Sequence, residues 1–115
     1  MKDWHDIGGV EELDRDGSLI ARIGRRDVGV VATPDGPRAV RNRCPHQGGP
    51  LCLGTVAERL VGTPGHYRLG GTTVLRCPWH GWEFSVESGH CLDDPAQRVA
   101  TYRVRVHDER VLVEA

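Results

Sequence analysis

Two short stretches decide the fold of this chain: CPHQGG at residues 44–49 and CPWHGW at residues 77–82. Each stretch contains one cysteine and one histidine, separated by one residue in the first stretch and by two in the second. Two thiols and two imidazoles carried on two tight loops can hold a metal centre, either a tetrahedral zinc ion or an iron–sulfur cluster. The four candidate ligands are Cys44, His46, Cys77 and His80.

The size and charge of the chain limit its class and its partners. Its 115 residues predict a single domain over residues 1–115. A formal net charge of -1 predicts neither a nucleic-acid nor an anionic-membrane partner. No apolar run is long enough to span a bilayer, and the first residues lack the apolar stretch of a secretory signal. We therefore expect a cytoplasmic protein, in which cysteines are more often ligands or buried thiols than disulfides.

Composition and hydrophobic pattern predict an all-β, antiparallel fold. Fourteen valines accompany 15 glycines and 7 prolines, a combination that favours short strands joined by tight turns. Residues 54–71 show no sustained period, and only residues 57–60 favour a turn of helix. The predicted strands cover residues 19–23, 27–32, 37–44, 72–77, 82–86 and a final hairpin from residue 102, with turns at residues 33–36, 87–89 and 107–110.

Three details favour an iron–sulfur cluster over zinc, although the residues alone leave both open. Zinc fingers and ribbons usually pair their cysteines closely, whereas each loop here contributes one cysteine and one histidine. Pro45 and Pro78 follow the two cysteines and stiffen the loops. The glycines at 48–49 and 81 predict bare backbone N–H groups that can approach inorganic sulfide.

The two stretches resemble the ligand boxes of Rieske iron–sulfur proteins, in which C-x-H is followed by C-x-x-H. The resemblance extends over most of the chain. It implies stacked antiparallel sheets with a cluster-binding subdomain over about residues 42–95. It also implies a 2Fe–2S cluster with Cys44 and Cys77 on one iron and His46 and His80 on the other. Neutral histidine ligands leave the oxidised cluster uncharged, which raises its reduction potential above that of a four-thiolate cluster.

The chain departs from the high-potential Rieske proteins of the respiratory complexes. Those proteins carry a disulfide between the two boxes at the positions that are Gly49 and Trp79 here. They also place hydroxyl donors after the second box, where this chain has Trp82 and Phe84. Because fewer hydrogen bonds to cluster sulfur lower the potential, we predict a midpoint near the low end of the Rieske range, roughly -150 mV rather than +300 mV.

The ligand boxes are also farther apart than in typical Rieske ferredoxins, and the excess falls at residues 56–71. Within it, His66 and Tyr67 are candidate partner contacts, although most loop histidines are simply solvated. Outside the boxes, Cys52 and Cys91 are predicted to be small buried fillers rather than a disulfide.

Several residues near the boxes have both a functional and a structural interpretation. Pro95 matches a third loop that covers the cluster in the family, or it is an ordinary turn proline. Arg41 and Arg43 lead into Cys44 and could steer an acidic partner, or they belong to a solvated strand face. Three aromatic residues are expected to keep water from the cluster: Trp79, which could also lie on a docking surface, Trp82 and Phe84.

The resemblance implies a soluble Rieske-type ferredoxin that is not itself an enzyme. Such a carrier takes single electrons from an NAD(P)H-linked flavoprotein reductase and passes them to a terminal oxygenase, and we expect a monomer. One alternative is the small subunit of a nitrite reductase, although many of those lack the four ligands. Another is a zinc-stabilised interaction module. We do not expect a self-contained Rieske oxygenase, because that activity needs a mononuclear iron site in a far larger domain and no H-x-x-x-H pair follows Trp82. An oxygenase remains a possible subunit partner.

Overall fold

The computed structural model describes residues 3–45, 48–61, 65–66, 68–79 and 81–115, with the backbone alone at residues 59–61 and 68–71. A short 3₁₀ turn, Leu51–Leu53, lies between the fourth and fifth strands. The described elements are β1 (Trp4–Gly9), α1 (Val10–Asp16), β2 (Ser18–Ile23), β3 (Arg26–Thr33), β4 (Gly36–Arg41), β5 (Thr55–Val61), β6 (Arg68–Arg76), β7 (Glu83–Ser85), β8 (Thr101–His107) and β9 (Arg110–Glu114).

The strands form two sheets. The larger sheet has six strands in the order β1-β9-β8-β4-β3-β2, and the smaller has three in the order β5-β6-β7. All pairings between the described strands are antiparallel. The predicted all-β fold of antiparallel sheets is therefore confirmed. The smaller sheet falls inside residues 42–95, where the cluster-binding subdomain remains a prediction.

Two predicted hairpins are present, and both belong to the larger sheet. Between β3 and β4, the Thr33 hydroxyl donates to the Gly36 carbonyl at 2.6 Å, and Gly36 adopts a φ of 106° that favours glycine. Between β8 and β9, His107 pairs with Arg110 across the turn. Turn chemistry predicted the first hairpin. The alternating strand pattern predicted the second, whose turn residues Asp108 and Glu109 adopt positive φ without being glycine.

Strand β4 ends three residues earlier than predicted, at Arg41 rather than at Cys44. Asn42 extends the pairing by one further bond, since its N–H donates to the Asp27 carbonyl at 2.7 Å. The Asn42 side-chain oxygen accepts a 2.7 Å hydrogen bond from the N–H of Cys52 in the 3₁₀ turn. Asn42 thus ties the 3₁₀ turn that follows the first cysteine loop to the end of the larger sheet.

Helix α1 is an element that the sequence analysis missed. At its N-terminus, the Glu12 carboxylate accepts a 3.2 Å hydrogen bond from the N–H of Gly9, the residue that precedes the helix. Gly17 ends the helix in the left-handed conformation, with φ 82° and an N–H bond to the Leu13 carbonyl. The helix has two turns and buries only Leu13, so no hydrophobic period could develop.

Residues 54–71 contain most of a hairpin, contrary to expectation. Strand β5 pairs with β6 from Thr55↔Arg76 to Val61↔Arg68, with an irregularity between Glu58 and Leu60. The predicted turn of helix at residues 57–60 is therefore wrong. Glycines lower the strand propensity of the β6 sequence, so the strand is stabilised by hydrogen bonding to its neighbouring strands rather than by its own residues. His66 is exposed, and Tyr67 lies outside the described residues.

The buried side chains form two clusters. One packs the larger sheet around valines of β3 and β9, and the other contains all four cysteines. Cys52 and Cys91 are buried and free, which confirms their predicted role as fillers. A Cβ on Gly29 would lie 2.4 Å from the Cys52 sulfur, so Cys52 occupies the space of the missing side chain. Burial raises the pKa of the Cys52 thiol to about 12.

Within the described part of the chain, no helix has the length and apolar character needed to cross a membrane.

Candidate metal centre

The two candidate cysteine ligands are buried in the same apolar cluster. Cys44 is 1% exposed and Cys77 is 2% exposed. Leu51 and Phe84 are fully buried in that cluster, and Trp82 packs against it from the partly exposed side. The thiols thus lie where little water can reach them, as a water-shielded cluster needs.

The first cysteine loop, residues 44–49, is closed by two backbone hydrogen bonds. The Gly48 N–H donates to the Cys44 carbonyl at 2.7 Å, and the Cys44 N–H donates to the Gly49 carbonyl at 2.8 Å. Gly48 has a φ of 78°, a left-handed conformation that suits a residue without a side chain. These bonds fix the direction of the chain on both sides of Cys44.

The second cysteine loop, residues 77–82, has the same closure. The Gly81 N–H donates to the Cys77 carbonyl at 2.9 Å, and the Cys77 N–H donates to the Trp82 carbonyl at 2.8 Å. Gly81 has a φ of 73°. Counted from the cysteine, the bonded residues are the fourth and fifth in both loops, so the two loops share one backbone frame.

This closure corrects one expectation from the sequence. The N–H groups of Gly48 and Gly81 were predicted to approach inorganic sulfide, but both are committed to the cysteine carbonyls. For these two glycines the prediction is wrong, because a left-handed glycine turns its N–H back into the loop. For the N–H of Gly49 it stays a prediction. These two glycines therefore shape the loops rather than act as donors toward sulfur.

The two loops meet at Gly49. A Cβ built on Gly49 would lie 3.1 Å from the Cys77 sulfur and 3.0 Å from the nearest ring atoms of Trp79. The missing side chain of Gly49 therefore lets the second loop pack directly on the first. Trp79 is 56% exposed, so one part of its ring covers Gly49 while the rest faces solvent. The Trp79–Gly49 contact lies at the two positions where high-potential Rieske proteins carry their disulfide.

The smaller sheet brings the loops side by side. Thr55, soon after the first loop, pairs with Arg76, which immediately precedes Cys77. A Cβ on Gly54 would lie 1.8 Å from the Arg76 carbonyl oxygen, so only glycine fits this crossing. The exit of the first loop and the entry of the second are thus held against each other by the backbone.

A third segment, residues 92–97, is tied to the strand that follows the second loop. The Leu92 N–H donates to the Glu83 carbonyl at 2.8 Å, and the Asp93 carboxylate accepts from the Glu83 N–H at 2.7 Å. Glu83 also pairs with Arg76 at 2.8 Å. Pro95 is exposed in this segment, and its covering role stays a prediction.

The two candidate histidine ligands, His46 and His80, lie outside the described residues. The structure therefore describes the cysteine half of the predicted ligand set. The assignment of all four ligands stays a prediction.

The comparison with known families decides the class of this centre. Residues 3–103 match the Rieske [2Fe-2S] domain family. This chain belongs to that family. The predicted 2Fe–2S cofactor is thereby confirmed, and zinc is disfavoured.

One curated relative of this Rieske domain is the oxygenase component of a chloroacetanilide N-alkylformylase from Rhizorhabdus wittichii. It is 30% identical over 93 residues, which cover 80% of this chain and 22% of the relative. The Rieske domain thus spans about a fifth of the length of that protein.

Two solved structures cover nearly the whole Rieske domain. The putative NADH-dependent nitrite reductase small subunit of Mycobacterium tuberculosis has a TM-score of 0.83 at 24% identity, covering 100% of this chain and 96% of that one. The ferredoxin of carbazole 1,9a-dioxygenase from Nocardioides aromaticivorans IC177 has a TM-score of 0.75 at 21% identity, covering 96% and 95%. At these identities the likenesses establish the shared fold.

The described residues fit a 2Fe–2S cluster. Thiolates are the ligands that such clusters use, and both candidate thiols lie in an apolar, closely packed setting. The loops are closed by their own hydrogen bonds, so the cysteines are held without help from a disulfide. Cys44 and Cys77 can therefore hold one side of the cluster.

Proposed function

We propose that this Rieske domain is a one-electron carrier whose 2Fe–2S cluster is held by Cys44, His46, Cys77 and His80. The observation that carries the proposal is the pair of buried cysteines on loops with one shared backbone frame, in contact at Gly49. When bound, the cluster supplies reversible one-electron chemistry.

The residues of the chain have three tasks in this role. The two loop closures orient the thiols, so that the ligands need little rearrangement when the charge of the site changes. Leu51 and Phe84 exclude water from the thiol side. Trp79 covers the junction of the loops while part of its ring stays exposed, which gives a redox partner an apolar surface to meet.

The carrier function we favour is that of a cytoplasmic, monomeric Rieske ferredoxin between a flavoprotein reductase and a terminal oxygenase. It is supported by the match to an oxygenase component and by the whole-chain likeness to a dioxygenase ferredoxin. A small subunit of a nitrite reductase is the second candidate. It is favoured by the higher TM-score of the nitrite reductase small subunit over the same length.

Cluster assembly tests the ligand assignment. We expect Cys44→Ala and Cys77→Ala to lose iron, acid-labile sulfide and the EPR signal of the reduced cluster after anaerobic expression. Cys52→Ala and Cys91→Ala are matched controls, because they remove equally buried thiols from the same core and should keep the cluster. Full iron content in either ligand variant would contradict the proposal.

Electron transfer separates the two candidate partners. The reduced protein is mixed in separate samples with two possible acceptors, the oxygenase and the nitrite reductase large subunit whose genes lie nearest to its own. Reoxidation of the cluster is followed by visible absorption. If the protein is a ferredoxin, we expect the oxygenase to reoxidise it and the nitrite reductase large subunit not to do so. Stable co-purification with the large subunit, without transfer to the oxygenase, would decide for the nitrite reductase role.

A further inference from the structure

A groove of about 180 Å³ runs beside the first cysteine loop. It is too small for a typical small-molecule site, which occupies ~300–1,000 Å³, but it can take one or two side chains. We call it the arginine groove, and its lining residues are Arg41, Arg43, Pro45, Arg98, Val99 and Ala100.

Tertiary structure brings these arginines together from two distant segments. The Arg41 N–H donates to the Ala100 carbonyl at 2.9 Å, which holds the end of β4 against the segment that carries Arg98. That segment is fixed in turn by the Val99 N–H, which donates to the Gly89 carbonyl at 2.8 Å. The grouping of the three guanidinium groups therefore rests on backbone bonds.

The three guanidinium groups carry uncompensated charge. All three side chains are exposed, and no carboxylate of the described residues lies within ion-pairing distance of them. The groove lining contains no acidic residue, although the chain as a whole has a net charge of -1. Five other arginines do have carboxylate partners: Arg15, Arg22, Arg76, Arg103 and Arg110. Arg25, Arg26, Arg38 and Arg105 have none among the described residues, so what distinguishes the groove is that three unpaired arginines line one cavity.

The arginine groove borders the first cysteine loop. Pro45 in its wall follows Cys44 directly. The Arg43 guanidinium lies over Gly48, where a Cβ would meet its terminal nitrogen at 3.3 Å. An acidic group that enters the groove is therefore brought against the loop that holds a candidate ligand.

We propose that the arginine groove docks an acidic surface of a protein redox partner, an inference that rests on the proposed carrier function. Guanidinium groups bind carboxylates with paired hydrogen bonds, and an exposed cluster of one charge steers an oppositely charged protein during approach. The size of the groove suits glutamate and aspartate side chains. A nucleic acid fits less well, because a phosphate backbone is usually bound by an extended basic surface, whereas this chain has a net charge of -1 and the groove groups three arginines.

The probe is a fluorescent peptide of about ten glutamates, whose binding to the cluster-containing protein is followed by anisotropy. We expect Arg41→Glu and Arg98→Glu each to weaken binding about tenfold at low salt, and about 0.5 M salt to remove most of the difference. Arg43 is left unchanged because it contacts Gly48. Arg15→Glu is the matched control, since it makes the same charge change at an exposed arginine on helix α1.

If Arg15→Glu weakens peptide binding as much as the groove variants do, the effect is one of total charge and the proposed docking site is overturned. Unchanged binding in the groove variants would overturn it as well. A single-stranded oligonucleotide of the same length that binds more tightly than the peptide would overturn the assignment to a protein partner. Iron content is measured for every sample. A wild-type protein without iron would contradict the carrier function, whereas an iron-containing protein whose groove variants bind the peptide normally would contradict the docking site alone.

Discussion

The two cysteine loops share a backbone frame but differ in where the histidine sits within it. In both loops the fourth residue after the cysteine is a left-handed glycine, and the carbonyl of the fifth accepts from the cysteine N–H. The histidine is the second residue after the cysteine in the first loop and the third residue after the cysteine in the second. The two loops therefore have the same length and backbone hydrogen bonds, and the unequal ligand spacing arises because the histidine occupies a different position in each.

That difference leaves a different residue at the second position of each loop. In the second loop the position belongs to Trp79, which packs on Gly49 of the first. The second loop thus contributes the contact that joins the loops, and the first contributes the space that receives it. This asymmetry replaces the covalent link of the high-potential proteins with van der Waals packing.

The largest expected effect comes from making the second loop resemble the first. In the double variant Trp79→His/His80→Trp the backbone frame can persist, but the histidine moves to the second position and the tryptophan leaves Gly49. We expect loss of the cluster, measured as iron and acid-labile sulfide per chain. Trp79→Phe is the control, because it keeps His80 in place and an aromatic ring over Gly49. Normal iron content in the double variant would show that the position within the frame does not matter.

The second prediction concerns the reduction potential. Neither loop offers a second cysteine, and the hydroxyl donors of the high-potential proteins are absent at Trp82 and Phe84. We expect a midpoint of roughly -150 mV in a redox titration, and a value above about +100 mV would contradict it. Replacement of His46 or His80 by Cys should lower the midpoint further if the cluster assembles, because a thiolate adds negative charge. An unchanged midpoint would show that the replaced histidine is not a ligand.

The third prediction tests the junction of the loops. Gly49→Ala places a methyl group 3.1 Å from the Cys77 sulfur and against the Trp79 ring, so the loops must separate. We expect a loss of about 1–3 kcal/mol in the free energy of unfolding, measured by chemical denaturation. In the Trp79→Ala background the same substitution should cost less, because the ring is gone. Equal costs in both backgrounds would show that the ring does not press on Gly49.

The smallest effects distinguish the two frames themselves. In Gly81→Ala the new methyl group meets no described residue within 4 Å, so we expect a cost set mainly by the left-handed conformation, about 1–2 kcal/mol of unfolding free energy. Gly48→Ala has the same conformational cost and also meets the Arg43 guanidinium at 3.3 Å. We therefore expect Gly48→Ala to be the more destabilising of the two by denaturation. The reverse order would mean that the frames are not equivalent.

The sequence by itself determined the fold class and the family. Alternating valines with tight turns predicted the hairpins of the larger sheet, because strand period and turn chemistry are local properties. The two boxes predicted the cofactor, because the order and spacing of ligand types follow from its chemistry. The four candidate ligands were likewise named from sequence alone, and the structure describes two of them, Cys44 and Cys77, as buried neighbours in one core.

Only the tertiary structure decided how the loops are used. The direction of the Gly48 and Gly81 N–H groups, the contact of Trp79 with Gly49, and the approach of Arg98 to Arg41 all depend on partners chosen by folding. The β5–β6 hairpin escaped prediction for the same reason, since its glycines are stable in a strand only when a partner strand is present. Local signals specify which elements can form, and long-range pairing specifies which side chains meet.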